Sequence, residues 1–119
     1  MKYRVAVGTK DRINITEHFG QCSQFYILDI DQESDSVTFV EERVTSHTLQ
    51  CGNHNDSSIR SKIDNIQDCH IVLVKQIGGQ SEKLLIHNNI IPLTYQGFVS
   101  EALDKVRKFY KKQNFIKKE

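Results

Sequence analysis

The run Phe25-Tyr26-Ile27-Leu28-Asp29-Ile30 constrains this chain more than any other stretch. A nearly unbroken apolar segment suits a strand covered on both faces, which calls for a layer on each side of a sheet. Tyr3 to Val7 alternates, is rich in β-formers and ends at Gly8, and His70 to Val74 is short and β-branched; both read as further strands. Val37 to Val44 alternates only in part, interrupted by Glu41, Glu42 and Arg43, as an edge strand paired in a hairpin with Phe25–Ile30 would. Ile90 to Leu93 is a short strand whose Pro92 points to a second edge.

Between these lie helical patterns. Asp56, Ser57 and Ser58 are capping residues ahead of Ile59, Ile63 and Ile66, which share one helical face. Ser81 to His87 reads as a helix leaving Gly78-Gly79 and ending at Asn88-Asn89, residues that tolerate a left-handed C-cap. Gly97 opens the last helix, with Ala102, Leu103, Val106, Phe109 and Tyr110 on one side. The order strand, strand, strand, helix, strand, helix, strand, helix means an α/β fold on a mixed sheet. Strands separated by helices are expected parallel, and the first three antiparallel.

At 119 residues the chain suits one domain, read here as residues 1–112 with a basic tail over 113–119. A formal net charge of +1 gives no overall pull toward nucleic acid or anionic membrane, and the lysine-rich last helix lacks a stacking or groove-reading motif. No apolar run approaches the ~20 residues that span a bilayer. Three cysteines and no secretory h-region suggest reduced thiols and a cytoplasmic protein.

The topology makes a functional statement. If the first three strands form a meander, the loops after strands one, three, four and five open at one end of the sheet, the edge where α/β sheets bind ligands. That rim gathers Thr9 to Cys22, Thr45 to Asn55, Lys75 to Gln80, and Tyr95 to Phe98. The first loop is long and polar, with Ile13, Ile15 and Phe19 as isolated apolar anchors, and long loops in small domains tend to be functional. The rim residues of chemical interest are His18, Cys22, Cys51, His54, Gly78 and Gly79. Imidazole and thiolate suit iron–sulfur species, zinc or copper(I). Cys51-Gly52-Asn53-His54 has the spacing of half a metal site, so His18, Cys51 and His54 form the candidate metal ligands. Cys22 fits core and ligand roles about equally, and Cys69 reads as core. Gly78-Gly79 reads either as a plain strand-to-helix turn or, more sharply, as a helix N-terminus bared to an anion.

Glu17-His18-Phe19-Gly20, the strand Phe25 to Ile30, Asp68 to Val74 followed by Ile77-Gly78-Gly79, Asn89 to Leu93, and Gly97 with Glu101-Ala102-Leu103 together resemble the dinitrogenase iron–molybdenum cofactor biosynthesis accessory proteins. The resemblance implies a ribonuclease H-like three-layer α/β domain with a five-stranded mixed sheet of order 3-2-1-4-5 and three helices. It also implies a non-enzymatic carrier that binds an iron–sulfur cluster or iron–molybdenum cofactor precursor and passes it between cluster-donor and acceptor proteins. His18 is carried over by this resemblance; Cys22, Cys51 and His54 rest on ligand chemistry alone. A monomer or homodimer is expected, with neither membrane nor nucleic acid as partner. The alternatives are a cofactor-free interaction domain of the same fold and a zinc-binding module. A two-metal nuclease on this fold would need convergent carboxylates, and Tyr3 to Val7 has none.

Overall fold

The computed structural model describes residues 2–21, 24–44 and 56–117. Its elements are β1 (Lys2–Val7), β2 (Gln24–Asp31), β3 (Val37–Val44), α1 (Asp56–Asn65), β4 (Ile71–Val74), α2 (Gly79–His87), β5 (Ile91–Thr94) and α3 (Val99–Lys117), with a short 3-10 turn over Phe19–Gln21. The sheet runs β3-β2-β1-β4-β5. β1 is antiparallel to β2, and β2 to β3, while β4 is parallel to β1 and β5 to β4. The expected α/β order and strand directions are therefore the ones observed.

Period-two alternation divides the core into two layers. Tyr3, Val5, Val7, Tyr26, Leu28, Ile30, Ile71 and Leu73 face Ala102, Leu103 and Val106 of α3. Ala6, Phe25, Ile27, Val72 and Val74 face the other way, toward Ile63, Ile66 and Leu85. Phe25 through Leu28 are all buried, which is why that segment carries no alternation. Tyr3 stacks on Tyr110 with ring centroids 3.8 Å apart, tying the first strand to the middle of α3.

Element ends and one anchor differ from the sequence reading. Gly79 already belongs to α2, with Gly78 as its N-cap. Ile13 is 60% exposed and anchors nothing, whereas Ile15 and Phe19 are buried. At the far end of α2 the Asn88 side chain donates to the Leu84 carbonyl, and Asn89 takes φ 64°, the left-handed cap expected there. Gly97 adopts φ +147°, and a Cβ there would lie 3.0 Å from the Tyr95 ring. Gly97→Ala should therefore cost about 1–2 kcal/mol in urea unfolding. A neutral result would show that the turn before α3 can relax.

An ion-pair clasp joins β1, β2 and β3 to the turn between α1 and β4. Arg4 donates from Nε and Nη2 to Asp29, at 2.8 and 3.1 Å, and from Nη1 to Asp68 at 2.7 Å. Arg43 grips the same Asp68 carboxylate from both terminal nitrogens and also donates to the Asn65 carbonyl at the end of α1. The charges that interrupt the alternation of β3 are thus partly a structural fastening.

Candidate functional site

The connection after β1 does not hang free. It runs as a strap past the ends of its neighbours. Ile15 N–H donates to the Gly97 carbonyl, Val99 N–H donates to the Ile13 carbonyl, and Asn14 bridges Phe98 in antiparallel sense. Further along, Lys75 N–H donates to the Glu17 carbonyl and Phe19 N–H to the Gln76 carbonyl, both at 2.8 Å, so that His18 forms a parallel bridge with Gln76. The loops leaving β1, β4 and β5 therefore meet at one sheet edge. The fourth expected contributor, Thr45 to Asn55, lies outside the described residues, as does Cys22.

The strap is held by its own polar groups. Asp11 accepts the N–H groups of Ile13 and Asn14, which holds its carboxyl down at about 2. Arg12 takes φ 67° and donates its N–H to Thr9 Oγ1. The Thr16 hydroxyl accepts Lys10 N–H and donates to Glu17 Oε2 at 2.8 Å. Because the segment is extended, successive side chains alternate: Glu17 and Phe19 are 6% and 0% exposed, and His18 between them is exposed. Two inward neighbours thus present the imidazole outward.

Gln76 leads within two residues to Gly78, the N-cap of α2. Gly78 has no side chain to cap the helix, and a Cβ on Gly78 or Gly79 would meet nothing within 4 Å. Neither glycine is demanded by positive φ or by crowding. Without side chains at these two positions nothing stands over the start of α2, and a helix N-terminus favours an approaching anion. The buried polar side chains among the described residues, Thr9, Glu17 and Ser81, all sit at this same end. Sequence reading had no signal for them, because burial of a Thr, Glu or Ser inside a polar loop is set by the strap's contacts.

Of the sequence-derived candidates, the structure brings His18, Gly78 and Gly79 to one rim. Cys22, Cys51 and His54 lie outside the described residues. Among the described residues no three His, Cys, Asp or Glu side chains converge to hold a metal ion. Cys69 and His70 belong to the opposite end: Cys69 is buried, its thiol pushed up to about 12 mainly by desolvation, and His70 Nδ1 accepts Arg4 N–H. No helix among the described residues is long and apolar enough to cross a membrane.

Fold and rim define a class: a small α/β domain on a mixed five-stranded sheet, its loops gathered at one sheet edge around an exposed histidine. The chain belongs to the dinitrogenase iron–molybdenum cofactor family, whose model matches residues 1–109. It is 39% identical over 75 residues to the FeMo cofactor biosynthesis protein NifB of Herbaspirillum seropedicae, covering 63% of this chain and 14% of that protein. The NifB protein of Bradyrhizobium diazoefficiens is 32% identical over 101 residues, covering 85% of this chain and 19% of its own length. Protein NifX of Sinorhizobium fredii is 24% identical over 96 residues, covering 76% and 58%. The chain thus spans less than a quarter of these NifB proteins and somewhat over half of NifX. The fold is shared with the crystal structure of PH0822, at a TM-score of 0.67 and 23% identity over 88% of this chain and 90% of that one. It is also shared with the MJ0327 protein of Methanocaldococcus jannaschii, at 0.59 and 16% identity over 91% and 90%.

Proposed function

We propose that this chain is a carrier that binds an iron–sulfur cluster or iron–molybdenum cofactor precursor at the rim and passes it to a partner protein. The role is binding and handover, without turnover. The observation that supports it is the exposed His18, held by the Gln76 bridge beside the side-chain-free start of α2. An imidazole supplies a ligand to iron, and a helix N-terminus favours the negative charge of a thiolate- or sulfide-rich cargo. Cys22, Cys51 and His54 are proposed as further ligands on their donor chemistry alone. Membership of a family named for the cofactor, with relatives named for its biosynthesis, makes this cargo the leading choice.

Anaerobic reconstitution with iron and sulfide tests the proposal by visible absorbance and bound iron. His18→Ala should reduce uptake about tenfold or more, at least the loss that removing an outer-shell partner of a metal ligand causes. Because the His18 side chain is exposed and makes no hydrogen bond among the described residues, the substitution should leave urea unfolding within about 0.5 kcal/mol of the parent. Equal uptake by parent and variant would sink the carrier reading.

A further inference from the structure

The two edges of the sheet are not equivalent. β5 is four residues long, and its central Pro92 has no N–H to offer an added strand. β3 is eight residues long, contains no proline, and carries four of the seven exposed large apolar side chains among the described residues: Val37, Phe39, Val40 and Val44. A long apolar edge strand is a template for pairing.

Its pattern also says with what. Val37 lies opposite Ile30 and Phe39 opposite Leu28; after a register shift, Glu42 lies opposite Tyr26 and Val44 opposite Gln24. Ile30, Leu28 and Tyr26 belong to the layer under α3, so Val37, Phe39, Glu42 and Val44 all share that face. Without the shift, Glu42 and Val44 would point to the other side. From the facing strap, the Arg12 guanidinium sits 4.6 Å from the Tyr26 ring centre and 5.7 Å from that of Phe39. It has no carboxylate partner among the described residues, its neighbour Asp11 being occupied by the strap's own N–H groups.

We infer that β3 is the surface through which two copies of this chain associate, pairing antiparallel about a two-fold axis to make one continuous ten-stranded sheet. With Phe39 opposite the partner's Glu42, Val37 falls opposite the partner's Val44 and Thr38 opposite the partner's Arg43. Val37 meets the partner's Val44, apolar on apolar, no like charges face each other, and these three facing pairs each keep to one side of the sheet. The partner's Glu42 arrives beside Phe39, where the Arg12 charge lacks a counter-ion. A cross-strand neighbour is about 5 Å away, within reach of a guanidinium. Antiparallel pairing sends the two rims to opposite ends of the joined sheet, so association leaves both open. The inference does not depend on what the rim carries.

Sedimentation equilibrium of the full chain without metal tests it. The parent should show a concentration-dependent monomer–dimer equilibrium. Glu42→Arg should weaken it about tenfold or more, Arg12→Glu likewise, and the double swap should restore it to within about threefold, because each exchanged pair is again complementary. Ile86→Glu, near the other edge, should leave it unchanged. Circular dichroism and urea unfolding of each variant separate loss of pairing from loss of fold, and Glu42, exposed and bonded within this chain to Gln24, is the safer single site. A parent that stays monomeric at all accessible concentrations, a dimer indifferent to Glu42→Arg, or a double swap no better than either single swap would overturn the inference.

Discussion

Phe19→Ala is expected to lower the unfolding free energy by about 3–5 kcal/mol, the largest effect of any single substitution in the rim. Phe19 is fully buried although it belongs to a loop, and its ring meets Phe25 at a centroid distance of 6.1 Å in the layer that also holds Ile63, Ile66 and Leu85. Removing the ring takes away both its transfer free energy and the packing of the residues around it. The same residue's N–H donates to Gln76, so the substitution also loosens the bridge that presents His18. Urea unfolding measures the first effect, and hydrogen exchange at Phe19 and Lys75 measures the second. A cost below about 1 kcal/mol, in the range of an ordinary surface change, would mean that the strap is held by its backbone bonds alone.

Asp68→Asn is expected to cost about 1–2 kcal/mol at neutral pH. The carboxylate accepts three charge-assisted bonds of 2.7 to 2.8 Å from Arg4 and Arg43, but its side chain is 44% exposed, so solvent screening discounts each one. The hydrogen bonds from Arg43, then those from Arg4, hold the Asp68 carboxyl far below the ordinary aspartate range, and Arg4 also lowers Asp29. A carboxylate depressed in the folded state binds fewer protons there than in the unfolded chain at acid pH. Stability from these groups is therefore complete above about pH 5, where the unfolded aspartates, near 3.9, are fully ionised, and falls progressively as the pH drops toward the depressed folded values. Asp68→Asn should flatten this acid loss while lowering the plateau. Superimposed curves of unfolding free energy against pH for parent and variant would show that the clasp contributes nothing through Asp68.

The clasp shows where sequence reading stopped. Glu41, Glu42 and Arg43 were legible as interruptions of the β3 pattern, and Asp68 as the residue ahead of a strand. Nothing in their spacing said that Arg4, Asp29, Arg43 and Asp68, on different elements, would form one ion-pair cluster. Ile13 fails for a related reason. Its apolar character suggested an anchor, but its carbonyl accepts Val99 N–H and its own N–H donates to Asp11, which fixes the backbone and leaves the side chain in solvent. Pro92, Asn89 and the Phe25–Ile30 run were readable because each acts locally: a missing N–H, a tolerated left-handed φ, and the absence of a polar face.

The sequence by itself determined the α/β order, the strand directions, the two edges, the two apolar layers and the end of the sheet where the loops open. Each of these follows from periodicity and from the short-range limits on chain crossovers. Only the tertiary structure decided that the Thr9 to Gln21 connection is a hydrogen-bonded strap across the ends of three strands, with Glu17 and Phe19 turned in and His18 turned out. Such placement depends on contacts between residues more than fifty positions apart, and no local pattern carries them.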